Sequence, residues 1–97
     1  MITSHSNKGV REVIQLQQKA KERKEKGLFV AEGVKMFLEA PLERIMKVYA
    51  AESFAKQAPS SCREKLEKLS GRYETVSEDV FRKMSDTKTT QGILCVV

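Results

Sequence analysis

Two uninterrupted apolar runs, Leu28-Phe29-Val30-Ala31 and Ile93-Leu94-Cys95-Val96-Val97, constrain the fold more than anything else in the chain. Each follows a glycine, Gly27 or Gly92, and each is too short for a buried helix. Such runs read as strands in the middle of a sheet, covered on both faces. Cover on two sides calls for helices between the strands, and the intervening segments carry helical periodicity. Asn7 is a good helix cap, and Val10, Val13, Ile14 and Leu16 follow at helical spacing, predicting a helix from Lys8 to near Ala20. Val34 to Ala40 reads as a second helix, ended by Pro41. Ser61-Cys62-Arg63-Glu64 reads as a capping box after a loop around Pro59, with Cys62, Leu66 and Leu69 as one apolar stripe stopped near Gly71. Ser77 is the predicted cap of a last short helix carrying Val80, Phe81 and Met84. Ile45–Ala51 and Tyr73–Val76 are the remaining predicted strands. Strand and helix therefore alternate, which argues for α/β architecture with helices on both faces of one sheet.

At 97 residues the chain is one domain, long enough to bury a core without metal or disulfide staples. Cys62 and Cys95 sit among apolar residues, are not part of a Cys-x-x-Cys pair, and read as reduced core side chains. His5 is the only histidine, so no metal site of the usual zinc kind can be assembled. No segment approaches the roughly twenty apolar residues that cross a membrane, and Met1–Ser6 lacks the pattern of a secretion signal. A cytoplasmic location and no membrane partner are the expectation. The polar residues carry no catalytic constellation. There is no serine, histidine and acid set, no phosphate-binding Gly-Lys-Ser/Thr loop and no dinucleotide fingerprint, and His5 lies in what should be a free terminus.

Binding residues are easier to name. Lysine plus arginine outnumber aspartate plus glutamate by 18 to 13. Five cations, Lys19, Lys21, Arg23, Lys24 and Lys26, fall within eight residues, against Glu22 and Glu25. This stretch is either a helix with a solvated, ion-paired face or a phosphate-contacting patch whose binding releases counterions. Glu32-Gly33-Val34-Lys35 joins a strand to a helix. Its glycine allows close backbone approach, and its free amides and Lys35 would suit an anion; glycine serving the turn alone is the plainer account. Glu32 would repel phosphate and is expected instead to hold a basic side chain such as Arg23. Ser85 to Gln91, with Thr87, Thr89 and Thr90, is a polar loop whose hydroxyls and amide suit phosphates, ribose hydroxyls or base edges. Phe29 and Phe37 read as core, while Tyr49, Phe54 and Tyr73 are the candidates for partial exposure.

Three of these stretches together resemble one family. Lys21-Glu22-Arg23 through Phe29-Val30-Ala31-Glu32-Gly33 is similar to the "K-x-R … G-x-F-x-V-E-G" opening of the SpoU-type RNA 2′-O-ribose methyltransferases. Ser85-Asp86-Thr87 followed by Gln91-Gly92 and an apolar strand is similar to that family's "S-x-T-x-x-P-Q-G" element. Ile2-Thr3-Ser4 and Asn7 resemble its lead-in. Lys8 and Thr90 stand where the family usually has proline, so these loops lack its stiffening, and Ala31 replaces the common valine.

The resemblance implies a substrate-binding domain with the three-layer α/β/α sandwich and small mixed sheet of the L30e and L7Ae ribosomal proteins. It implies structured RNA (rRNA or tRNA) as partner, with S-adenosylmethionine and catalysis in a domain downstream of residue 97. A core strand running to the last residue agrees with this being the first part of a longer protein. No cofactor or catalytic residue is then expected within these residues. The isolated region is expected to be monomeric and the whole enzyme a homodimer. Lys19, Lys21, Arg23, Lys24, Lys26 and Lys35 would hold phosphates, Arg23 foremost, and Asn7, Thr89, Thr90 and Gln91 would read hydroxyls or base edges. Glu32, Gly33, Ser85, Thr87 and Gly92 would be structural or orienting. Two other readings remain open. One is an assembly module of the same enzyme with little RNA affinity; the other is a free-standing kink-turn binder of the same fold.

Overall fold

Asn7 opens the first helix as its sequence predicts, its side chain accepting from the Val10 amide at 3.2 Å. The computed structural model describes all 97 residues, Met1–Val97. Helix α1 spans Lys8–Gln18 and α2 spans Ala20–Lys26; strand β1 is Val30–Glu32, followed by helix α3 at Val34–Glu39. A 3-10 turn at Leu42–Arg44 leads to β2 at Lys47–Ala51, α4 at Glu52–Gln57 and α5 at Ser60–Lys68. Strand β3 is Tyr73–Val76, α6 is Glu78–Met84 and β4 is Ile93–Val96. The sheet order is β1-β4-β2-β3. Strand β4 runs antiparallel to both neighbours, while β2 and β3 are parallel, so the sheet is mixed.

Alternation along β4 feeds two cores, because successive side chains point to opposite faces. Leu94 and Val96 pack under α1 and α6 with Val10, Val13, Leu16, Val80, Phe81 and Met84. Ile93 and Cys95 pack under α3 and α5 with Phe37, Cys62, Leu66 and Leu69. The result is the expected three-layer α/β/α sandwich. Both cysteines are free and buried, and burial pushes the Cys95 thiol up to about 11. No helix is long and apolar enough to cross a membrane.

Several expectations are corrected. Lys19 leaves helical geometry (φ −123°, ψ 108°), so the first helical stretch breaks into α1 and α2 rather than running to Ala20. The apolar run from Leu28 forms an edge strand, not a central one; Phe29 pairs with Val97 on one side only and its side chain is 50% exposed. Tyr49 is buried, not partly exposed. The Ser61–Glu64 capping box does not form, since α5 begins two residues earlier, at Ser60, with Pro59 in the cap position. Ser77 occupies the cap position of α6, but its hydroxyl donates to Asp79 instead of accepting from the helix. Helix α4 was not foreseen. The N-terminus is tied down, with Ile2 hydrogen-bonded to Thr75 and Ser77 beside β3 and His5 next to Asp79 at 3.3 Å.

Candidate nucleic-acid interface

One end of the sheet gathers the turn after β1, the start of α4, the start of α6 and the loop entering β4, and here the signature residues meet. Glu32, at the end of β1, accepts from three donors. Gln17 Nε2 reaches its Oε2 at 2.9 Å, the Asp86 amide reaches the same oxygen at 2.7 Å, and Ser85 Oγ reaches Oε1 at 2.6 Å. Ser85 Oγ also accepts from the Thr87 amide at 3.2 Å and lies 3.1 Å from the Thr87 hydroxyl. A carboxylate that accepts three hydrogen bonds from two other segments acts as a clamp. It joins the end of α1, strand β1 and the loop after α6.

Arg23 is not the residue that Glu32 holds. Its Nη1 donates to the Leu16 carbonyl at 2.6 Å and to that of Gln17 at 3.3 Å, covering the open end of α1 where helix carbonyls lack partners. The two signature residues are linked only through Gln17, whose side chain bonds Glu32 and the Met84 carbonyl. Gln17 went unnoticed in the sequence because a polar residue in a last helical turn looks solvated.

Gln91 completes the arrangement. Its Oε1 accepts from the Val34 amide at 2.8 Å, so the turn's first free amide is already occupied rather than open to an anion. Gly33 has φ +96°, and a Cβ there would lie 2.9 Å from that oxygen. Gly92 has φ +92°, with a Cβ position 2.9 Å from Phe54 Cβ. Both glycines therefore serve the close approach of this loop to the sheet. Thr90 Oγ1 accepts from the Gly92 amide at 3.2 Å. Nearby, Glu78 caps α4, accepting from the Ser53 amide and hydroxyl at 2.8 Å each. Those bonds hold its carboxyl below the usual range. No group of three or more His, Cys, Asp or Glu side chains is placed to hold a metal ion.

A family model described as the MRM3-like substrate binding domain matches residues 7–95. The chain belongs to that family. No curated protein matches this substrate-binding domain by sequence. Its fold is that of a solved RNA 2′-O ribose methyltransferase, at TM-score 0.73 and 20% identity over 98% of this chain and 36% of that one. An rRNA methyltransferase from Sinorhizobium meliloti aligns at TM-score 0.67 and 24% identity, over 98% of this chain and 35% of that one. An AdoMet-bound structure of an rRNA methyltransferase from the same organism aligns at TM-score 0.67 and 24% identity, over 34% of its length. The chain thus spans about a third of each of these proteins.

The cations of this domain divide by what they touch. Lys26 is paired with Glu22 at 3.3 Å, and Lys21 lies 3.9 Å from Glu25, both exposed helix pairs of little energetic weight. Lys19, Lys24 and Lys35 are exposed and enter no ion pair. Lys88, not singled out from the sequence, is equally exposed in the polar loop. It lines a groove of about 250 Å³ with Arg82, Thr89, Thr90 and Gln91, with Glu78 the acid of that lining. Asn7 stands apart. It begins α1, whereas Gln17 near the far end joins Glu32, and ten residues of helix separate the two by about 15 Å.

Proposed function

We propose that this chain docks structured RNA, rRNA or tRNA, for an attached S-adenosylmethionine-dependent 2′-O-ribose methyltransferase domain, in the cytoplasm. The observation that carries the reading is the division of labour among signature and basic residues. Arg23, Glu32, Ser85 and Gln91 spend their polar groups on bonds within the fold, whereas Lys19, Lys24 and Lys35, with Lys88 in the loop, are exposed and enter no ion pair. Phosphates are the natural partner of exposed cations that enter no ion pair. In this reading Thr89 and the Gln91 amide nitrogen meet ribose hydroxyls or base edges. No residue of the chain is assigned to the cofactor, whose methyl group the catalytic domain would transfer, and the whole enzyme would be a homodimer of otherwise monomeric docking domains.

The test is titration of the chain into a labelled structured rRNA fragment, with duplex DNA as control, from low to physiological salt. Preference for the RNA, with affinity falling steeply as salt rises, is the expected result. No RNA preference at low salt would reject the docking role. A second reading, an assembly surface for the catalytic domain, is favoured by the exposed apolar side chains of Phe29, Met36 and Met46.

A further inference from the structure

RNA-binding surfaces that take single strands need an aromatic face, and the sequence offers no obvious one. One aromatic side chain, just before β1, is nevertheless exposed. Phe29 is the most exposed aromatic residue of the chain, with half its surface in solvent. Its backbone is locked to Val97 by reciprocal hydrogen bonds of 2.9 and 3.0 Å, so the ring stands on a fixed base. On one side lies a groove of about 400 Å³, formed by Phe29, Met36, Pro41 and Val97 with Arg44 and Glu39 also lining it. Phe29 also lines a second groove, with Ala20, Arg23, Lys24 and Leu28.

A lone exposed phenylalanine would need no explanation. Phe29 is not alone, because Met36 in the same groove is 45% exposed. An edge strand that shows apolar side chains also invites unwanted pairing, which is ordinarily blunted by charge. Each groove that Phe29 lines carries such a charge, Arg44 in one and Lys24 in the other, both exposed and neither in an ion pair. An apolar peptide gains nothing from two uncommitted cations, whereas a nucleotide presents a flat π face between phosphates.

We propose that Phe29 is a stacking platform for an unpaired RNA base, with Lys24 and Arg44 holding the phosphates on either side of it. Stacking of this kind tolerates any base, because every base has a π face. Glu39, the acid of the groove, can accept from a base's exocyclic amine. The platform rests on the RNA-docking reading and adds to it a single-stranded element beside the α2 lysines.

The chain has no tryptophan, so Phe29→Trp gives a single fluorescent reporter at the platform. The probes are a short oligoadenylate RNA and a blunt RNA duplex, which offers no unpaired base. Phe29→Ala is expected to weaken oligoadenylate binding by about tenfold and leave duplex binding unchanged. Phe29→Trp is expected to keep the affinity, with its emission quenched on adding oligoadenylate. Lys24→Glu and Arg44→Glu are each expected to weaken oligoadenylate binding and flatten its salt dependence. Unchanged oligoadenylate affinity in Phe29→Ala, or unquenched Phe29→Trp at saturation, overturns the platform while duplex binding upholds docking. Failure of both probes to bind the parent chain overturns docking, and the platform with it. Phe29→Trp emission that shifts with protein concentration alone would assign the groove to a second copy of the chain, also against the proposal.

Discussion

Glu32 carries a charge that a phosphate-binding surface would be better without, so its place in the signature needs a structural cause. Three donors converge on its carboxylate, from Gln17, Ser85 and the Asp86 amide, and they belong to segments far apart in the chain. Removing the acceptor leaves all three to find water at a half-buried site. A hydrogen bond to a charged group contributes more than a neutral one, and an orphaned donor costs its own desolvation. Glu32→Ala is therefore expected to destabilise the fold by about 2 kcal/mol, read as a lower urea midpoint with unchanged slope. Glu32→Gln keeps the shape but presents an amide nitrogen where an acceptor is needed, and should recover only part of the loss. If Glu32→Ala were as stable as the parent chain, the clamp would contribute nothing to the fold, and binding would have to explain the acid.

Helix α4 shows the same logic between elements. It has six residues, no side-chain cap of its own, and begins directly from β2 at Ala51. Its start is satisfied from a distance, by Glu78 on α6. The Ser53 amide and hydroxyl stabilise the ionised form and set the Glu78 carboxyl below its ordinary value of 4.5. A lowered folded-state value means that stability from this contact is complete above the unfolded value and disappears as pH falls through the folded one. Thermal unfolding from about pH 6 down to about pH 3 should therefore show a smaller acid-induced drop in Glu78→Gln than in the parent chain. Some slope should remain in the variant, because the Ser77 hydroxyl also lowers Asp79. Identical pH profiles would mean that water, not Glu78, satisfies the start of α4.

Such distant caps also mark what was legible beforehand. The stripes of α1, α5 and α6 and the apolar run of β4 are local patterns, and all became core. Strand order is not a local property: an apolar run does not say whether one neighbour or two will pair with it, and β1 proved to be an edge. Helix α4 lacks an apolar stripe and borrows its cap from a residue 25 positions away, so nothing within it announces a helix. At the candidate site the composition was legible and the roles were not. Arg23 and Lys24 are adjacent cations, yet the break at Lys19 sends one back onto α1 and leaves the other in solvent.

For the molecule as a whole, that divergence makes folding and binding separable within a single basic segment. A net charge of +5 spread evenly would attract any polyanion weakly, and its contribution would not depend on which lysine is removed. A docking surface behaves differently, since each phosphate neutralised at a defined position adds about 0.7 to 0.9 to the steepness of log K against log salt. The side chains of Lys19 and Lys24 bond to no carbonyl and enter no ion pair, so Lys19→Glu/Lys24→Glu should leave the unfolding temperature within the small range of surface substitutions. The same pair should weaken RNA binding and flatten the salt dependence by about 1.5 or more. Arg23→Ala should do the reverse. It strips two carbonyls at the end of α1 of their donor, at about 1 to 3 kcal/mol, while the salt dependence of the protein that remains folded stays within experimental spread of the parent. The two measurements, unfolding temperature and salt slope, thus form a cross. Should Arg23→Ala flatten the slope as much as the lysine pair with no loss of stability, the guanidinium would be facing the RNA. Its bonds to Leu16 and Gln17 would then be a resting position that the nucleic acid displaces.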